Sequence, residues 1–520
     1  MRKPVTTNRA FDFSRLVGQF LLGGADAFVP QGWDEERIGG WVLGSHPSLP
    51  RIRLFGADGG ERGWLLGYPI GKDGLLLSEG DTLTVPEDSD PAGSGVEEFV
   101  YGFGGKFVAA LVGGRHPRLY LDPCGSMSVV YCPHKEIVAS TPNLIPHDNR
   151  TRCRLELARA LGIPHTNAMY PLVLTPRHNI HRLLPNHYLD LSHWQDVRHW
   201  PKKPLKSRGS IEETVTSITA ITKRNIAAVV NRTPAYLRLT AGQDSRMLLA
   251  CARDMTDRLE LLTVPMPDDG AFVDVDTAER IAQRFCLRHF VPQMAPPKQE
   301  DLDAWMFRIG YSTGELRGWQ AATMFRQANP AYAQLDGGIG GLERIGEVLR
   351  PGETMHTEIT PERLLERCLA PRTAQTLSVF RRWLSTAPAD NAVQILDLFE
   401  IEQRLGCWGG VWPYAETPDA GFLLFPMCHR EIIERMITLP LDYRLACALM
   451  RDVIEREWPE LLEWPFNKPV GATHASLLAR RMWSNVKYRT DLLACKVMQN
   501  GNLARGTEIA LPFLFWTESL

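Results

Sequence analysis

Two different spacings of apolar residues divide this chain. Over the first 200 residues the apolar positions fall in short runs between Gly, Pro and Asp turns, as at Phe107–Val112, Arg118–Asp122, Val129–Tyr131, Ile137–Ser140 and His187–Leu191. Such runs predict β-strands. The segment Arg198–Ser210, RHWPKKPLKSRGS, is charged and proline-rich and has no apolar period. It is the expected boundary between a unit of residues 1–200 and a unit of residues 210–520.

Past that boundary the period lengthens. Ser210 with Glu213 forms a capping-box pattern, and Ile211, Val215, Ile218, Ile221, Ile226 and Val229 then keep one helical face as far as Asn231–Pro234. Ala235–Thr240 predicts a strand, Arg246–Arg253 a helix apolar on nearly every side, and Leu259–Val264 the next strand. A helix over Thr277–Phe285 leads to a short strand at His289–Val291. Strand and helix alternating at this spacing predict a parallel sheet covered on both faces, hence an α/β fold. From about Glu343 the chain reads as mostly helical, with Pro and Trp punctuation.

Composition narrows the classes. Lys and Arg number 58 against 60 for Asp and Glu, a formal charge of −2, which argues against a nucleic-acid binder dependent on an overall basic field. No apolar run approaches the roughly 18–20 residues of a membrane span, and the first residues turn polar too early for a signal peptide, so a cytoplasmic protein is expected. The ten cysteines are scattered without a CxxC pair, which fits reduced thiols rather than a disulfide framework or zinc site. Trp408, Trp412, Trp458 and Trp464 near turns predict packing anchors, and His289 a packing or capping role.

Candidate chemistry concentrates in YLRLTAGQDSRMLLA. Thr240-Ala241-Gly242-Gln243-Asp244-Ser245 joins the end of a buried strand to a helix start. Free N–H groups and the positive end of the helix dipole make such a turn an anion cradle. Gly242 permits close backbone approach, the Thr240 and Ser245 hydroxyls add donors, and Asp244 makes sense if Mg²⁺ lies between it and phosphates. Taken alone, the string fits a plain helix cap equally well. It lacks the glycine and lysine spacing of a P-loop.

This string resembles the S-G-G-x-D-S pyrophosphate loop of the asparagine-synthetase-like amide ligases, with Thr240 for the first Ser and Ala241 for a Gly. Other segments follow in the family's order. Leu121–Tyr131 with Ile137–Thr141 is similar to its D-P-x-G-x-x-P-L-Y-Y … A-S stretch, and Leu183–Leu191 to its L-P-P-G-H-x-L strand. Asp274–Phe290 resembles the helix after the second sheet strand, Leu335–Gly346 the second glycine-rich segment S-G-x-G-x-D-E, and Phe425–Pro440 the P-F-L-D … L-P helix.

The resemblance implies an N-terminal Ntn-hydrolase-like αββα domain followed by a parallel-sheet, adenine-nucleotide α-hydrolase-like synthetase domain with a helical C-terminal part. It implies ATP and Mg²⁺ as cofactors. Leu239, Thr240, Ala241, Gly242, Gln243, Asp244, Ser245, Arg246, Val264, Gly337 and Gly338 would bind ATP, and Asp244 with Glu343 would hold the metal. Glu343 fits a solvated helix start as well. Lys468 is the candidate catalytic lysine, with Arg480, Arg481 and Lys487 as rivals or plain surface charge. Position 2 is Arg2 where the glutamine-hydrolysing members carry a cysteine, so a front domain without glutaminase chemistry is expected.

The activity so implied is adenylation of a substrate carboxylate with loss of pyrophosphate, then capture by ammonia or an amine and release of AMP. The substrate is a small-molecule or peptide carboxylate; neither nucleic acid nor membrane is expected as partner, and a homodimer or an accessory biosynthetic protein is open. Intramolecular lactam formation and a catalytically inactive nucleotide-binding scaffold are the alternatives.

Overall fold

The computed structural model describes residues 12–87, 94–266, 271–314 and 316–466. The fold is mixed α/β with three sheets, one of them wholly parallel.

The front half is built from two facing sheets. Phe20–Gly24, Asp34–Ile38, Trp41–Ser45, Val130–Cys132, Ile137–Ala139 and His181–Arg182 form a six-stranded sheet. A seven-stranded sheet comprises Arg51–Phe55, Glu61–Ile70, Thr82–Thr84, Gly104–Leu111, Arg118–Leu121, His187–Asp190 and Gln195–Arg198. The two-residue alternation sorts the side chains. Phe20 and Leu22 meet Val108 and Ala110 between the sheets, whereas Leu21 and Ala109 face outward. The helix Ser94–Tyr101 brings Val96 and Val100 onto Phe107 and Leu111. The other outer face is covered by Leu144, Ile145 and Ile180, around the short 3-10 turn Pro142–Leu144.

The back half opens with the predicted helix. Ile211–Val230 starts with both halves of its capping box made, Glu213 N donating to Ser210 Oγ and Ser210 N to Glu213 Oε2. The parallel sheet runs His289–Phe290, Leu259–Leu262, Ala235–Arg238, Ala333–Leu335, Leu423–Leu424, with Ala235–Arg238 at its centre. Two expected strands end early, at Arg238 and Leu262, because the chain bends toward the loops there; Leu239 N still donates to Leu262 O and Thr263 N to Phe290 O. The expected Arg246–Arg253 helix is instead Gln243–Cys251, begun at the loop itself once Gly242 turns extended. The Thr277–Phe285 helix starts earlier, at Ala271. Leu423–Leu424 was not predicted, because two residues carry no period.

The halves are not joined by a loose tether. Ile70, Cys124, Tyr170, Leu184 and Trp200 of the front half share one hydrophobic cluster with the parallel-sheet core. Inside the expected linker, Arg198 makes a two-pronged ion pair to buried Glu402, at 2.6 and 2.9 Å. Glu402 also accepts from Asn186 Nδ2 and Trp383 Nε1. Among the described residues no helix is long and apolar enough to cross a membrane, and the described cysteines are free thiols.

Candidate functional site

The turn after the central parallel strand is knitted by its own hydroxyls. Thr240 N donates to Ser245 Oγ at 3.1 Å, and Gly242 N to Thr240 Oγ1 at 3.1 Å. The two hydroxyl oxygens lie 3.0 Å apart. Gly242 stands at the N-cap of the Gln243–Cys251 helix, which has no side-chain cap; Asp244 is the acidic residue of its first turn, at the positive end of the dipole. Asp274, from the next helix, accepts from Ala241 N at 2.9 Å.

A second turn meets this one. The turn 336–341 follows the adjacent strand Ala333–Leu335, and two of its glycines, Gly337 and Gly340, lie against Asp244. A Cβ on Gly337 would come within 2.9 Å of the Asp244 backbone and Cβ; one on Gly340 would reach its Oδ1 at 2.6 Å. Both distances are shorter than side chains tolerate, so the close approach requires glycine at both positions. Asp336 closes the turn by accepting from Gly338 N at 2.8 Å and faces Arg238 Nη1 at 3.4 Å. The Asp244 carboxylate is paired with Arg344. One Nη2 of Arg344 and one of Arg404 lie 3.3 and 3.1 Å from where a Cβ on Gly341 would stand.

The residues singled out from sequence thus separate into groups. Thr240, Ala241, Gly242, Asp244 and Ser245 form the turn and helix start, and Gly337 lies directly on them, with Gly338 next in the same turn. Gln243 is buried beside them with an Oε1 that has no hydrogen-bond partner. Leu239 is buried, its carbonyl accepting from Thr263 Oγ1, and Val264 packs at the same sheet edge. Arg246 points its guanidinium elsewhere: it donates to the carbonyls of Leu461, Trp464, Pro465 and Ala241, and burial brings its pKa down to about 9. That is a tie between the loop and the C-terminal helices rather than a ligand contact.

Glu343 also has other duties. It is fully buried, its Oε1 accepts from Leu449 N at 3.2 Å, and burial pushes its pKa up to about 7. A solvated helix start is excluded: Oε1 is bonded to the start of the Leu449–Glu457 helix, while Oε2 is buried without a hydrogen-bond partner and the Asp244 charge helps to raise the pKa. Asp244 is paired with Arg344, no group of three metal-binding side chains occurs among the described residues, and the unpartnered Glu343 Oε2 is the second carboxylate oxygen that could meet a cation. Lys468, Arg480, Arg481 and Lys487 lie outside the described residues.

Sequence reasoning missed Arg344, Arg404 and Asp274 as members of the site. Arg344 directly follows Glu343 in the string, but nothing local announces a partner 100 residues earlier in the chain. Two surface clefts are lined by other residues, the first including Leu205 and Met355, the second Arg62 and His116. The assembled turn lies at the carboxyl edge of a parallel sheet, where such folds take ligands. No protein-family model matches the chain, and no curated protein matches it.

Proposed function

We propose that this chain is an ATP-dependent, amide-forming ligase of the asparagine-synthetase-like kind, with the Thr240–Ser245 turn as its polyphosphate cradle. One observation carries the reading: glycine turns on two adjacent parallel strands converge on Asp244 at the start of a helix without a side-chain cap. In this reading the facing front sheets are an Ntn-hydrolase-like scaffold without its nucleophile, and residues 210–520 are the synthetase domain of a cytoplasmic enzyme.

The chemistry follows from the placement. An oxygen of a small-molecule or peptide carboxylate attacks the α-phosphorus of ATP; the new P–O bond forms as the bond to pyrophosphate breaks. Backbone N–H groups at the helix start stabilise the charge that gathers on the departing phosphates. The acyl-adenylate is captured by ammonia or an amine, on another molecule or on the same one, and AMP leaves. No step is routed through Mg²⁺; Asp244 and the unpartnered Glu343 Oε2 are the carboxylate oxygens that would hold it. The helical C-terminal part excludes water from the adenylate.

The test is to incubate the protein with ATP and a panel of carboxylates and amines and to measure AMP by mass spectrometry. AMP formation that depends on one carboxylate is expected, and Asp244→Ala is expected to lower it by about a hundredfold or more while the melting temperature holds. ADP as the sole nucleotide product would overturn the reading. A second reading, a nucleotide-binding scaffold without catalysis, is favoured by Arg344 on Asp244 and Asp274 on the Ala241 N–H, which occupy groups the reaction needs. ATP–pyrophosphate exchange separates the two, because a scaffold shows none.

A further inference from the structure

We infer that Arg182 holds a small monovalent anion, of the size of chloride or formate, on its Nε–Nη2 edge, where the strand His181–Arg182 meets the π-helix Glu400–Gly409. The inference is independent of the nucleotide reading.

A buried charge with unspent donors carries it. Arg182 is fully buried. Its Nη1 donates to the carbonyls of Leu172 at 2.9 Å and Tyr170 at 3.3 Å, while Nε and Nη2, both shielded from solvent, have no hydrogen-bond partner. Those two atoms are the side of the fork that grips an anion by two parallel bonds. Among the described residues Arg182 makes no ion pair with a carboxylate. Glu402, a buried carboxylate of the facing helix, is spent: Oε1 accepts from Arg198 and Asn186, and Oε2 from Arg198 and Trp383. The Cys407 thiol lies against Arg182, but burial raises it, and its Sγ donates to the carbonyls of Leu172 at 3.6 Å and Glu402 at 3.4 Å, as a protonated thiol does. A guanidinium left unpaired in the interior is strongly disfavoured, so the charge calls for a counter-ion.

The surroundings suit an anion. The Tyr170 hydroxyl is buried without a partner and lies in the field of both Arg182 and Arg154. Arg154, itself buried, spends Nη1 on His178 and keeps an unpartnered Nε. These unspent groups are all donors. The π-helix closes the place from the other half of the molecule: Gln403 Oε1 accepts from Leu172 N at 2.6 Å, and Leu172 is held in left-handed backbone, φ 45°, with its carbonyl on Arg182. Strained backbone and π-helical turns both recur at functional sites. One guanidinium matches one negative charge, and the depth of the place excludes a large ligand.

The test measures melting of the full-length protein in sodium chloride and in sodium gluconate at equal ionic strength. Chloride is expected to raise the wild-type melting temperature over gluconate by about 2 °C or more, since a ligand that binds only the folded state stabilises it by mass action. Arg182→Met, which fills similar space without charge, is expected to melt equally in the two salts. Crystals of the wild type grown in bromide are expected to show an anomalous peak within hydrogen-bond distance of Arg182 Nε and Nη2, a readout that stands even if the variant does not fold. Equal melting of the wild type in both salts, the behaviour of a Cys407 thiolate counter-charge, overturns the inference. A chloride response that persists in Arg182→Met is a general salt effect and overturns it too, as does bromide confined to the surface with water on the Arg182 fork.

Discussion

At Glu343 a buried carboxyl with a pKa of about 7 is a stability statement. Burial raises the folded value above that of an unfolded glutamate, so the stability it permits at low pH is lost as pH rises from about 4.5 through 7. Glu343→Gln keeps an acceptor for Leu449 N and cannot ionise. Its melting temperature is expected to exceed wild type at pH 8 and to match it at pH 4.5; a wild-type profile at both pH values would contradict the raised pKa. His429 has the opposite sign. Burial, with Arg224 and Arg430 nearby, lowers it to about 4, and its Nδ1 accepts from Glu431 N as the N-cap of Arg430–Ile437. Its contribution is present above pH 6.5 and is lost as pH falls toward 4, a swing of about 3 kcal/mol at most. Protonation abolishes the acceptor. In melts between pH 7 and 5, His429→Asn, which caps without titrating, is expected to show a shallower fall than wild type; an equal fall would assign the slope to His187 and His199, also lowered by burial. Legibility at this scale was uneven. Asp244 and Gly337 stood out because a short string announces a turn that meets a helix start. Arg344 did not, since an ion pair to a residue 100 positions away leaves no local trace.

Among elements, period was the reliable guide. Ile211–Val230 could be read in full because six apolar positions and both cap residues agree. The two-residue strand Leu423–Leu424 could not, since its place is set by pairing with Gln334 and Leu335 rather than by its own pattern. Where strands stop was similarly hidden: Leu239 and Thr263 look like strand residues and keep ladder bonds, yet the chain is already leaving the sheet. The glycine turn at Asp336–Gly341 is where element geometry becomes function. Gly340→Ala would drive a Cβ to 2.6 Å from Asp244 Oδ1, so Asp244 and Arg344 must separate. A stability loss of about 1–3 kcal/mol is expected from that overpacking, together with a fall in ATP affinity. Unchanged affinity by calorimetry would detach the second turn from the site.

Across the whole molecule, the charged, proline-rich stretch near residue 200 reads as a linker by composition, but Arg198 within it is bound into the fold. Composition reports local flexibility and is silent about a buried partner such as Glu402, supplied from far along the chain. The shared hydrophobic cluster and the Glu402 hub predict that the halves unfold together. A single thermal transition is therefore expected. Glu402→Leu, which strands Arg198 in the interior, is expected to cost about 3–5 kcal/mol. Two separate transitions in the wild-type protein would contradict the shared core. The same coupling gives the front sheets a structural role: they brace the helical part whose Gly406 and Gly410 press on Pro185 and Gly125.

The central claim is that the Thr240–Ser245 turn holds the phosphates of ATP beneath the glycine turn at Asp336–Gly341. Crystals soaked with α,β-methylene ATP test it most directly. The account predicts phosphate density on the N–H groups at the start of the Gln243–Cys251 helix, within reach of Arg344. Nucleotide seated at another edge of the sheet, with that turn unchanged and empty, would contradict it.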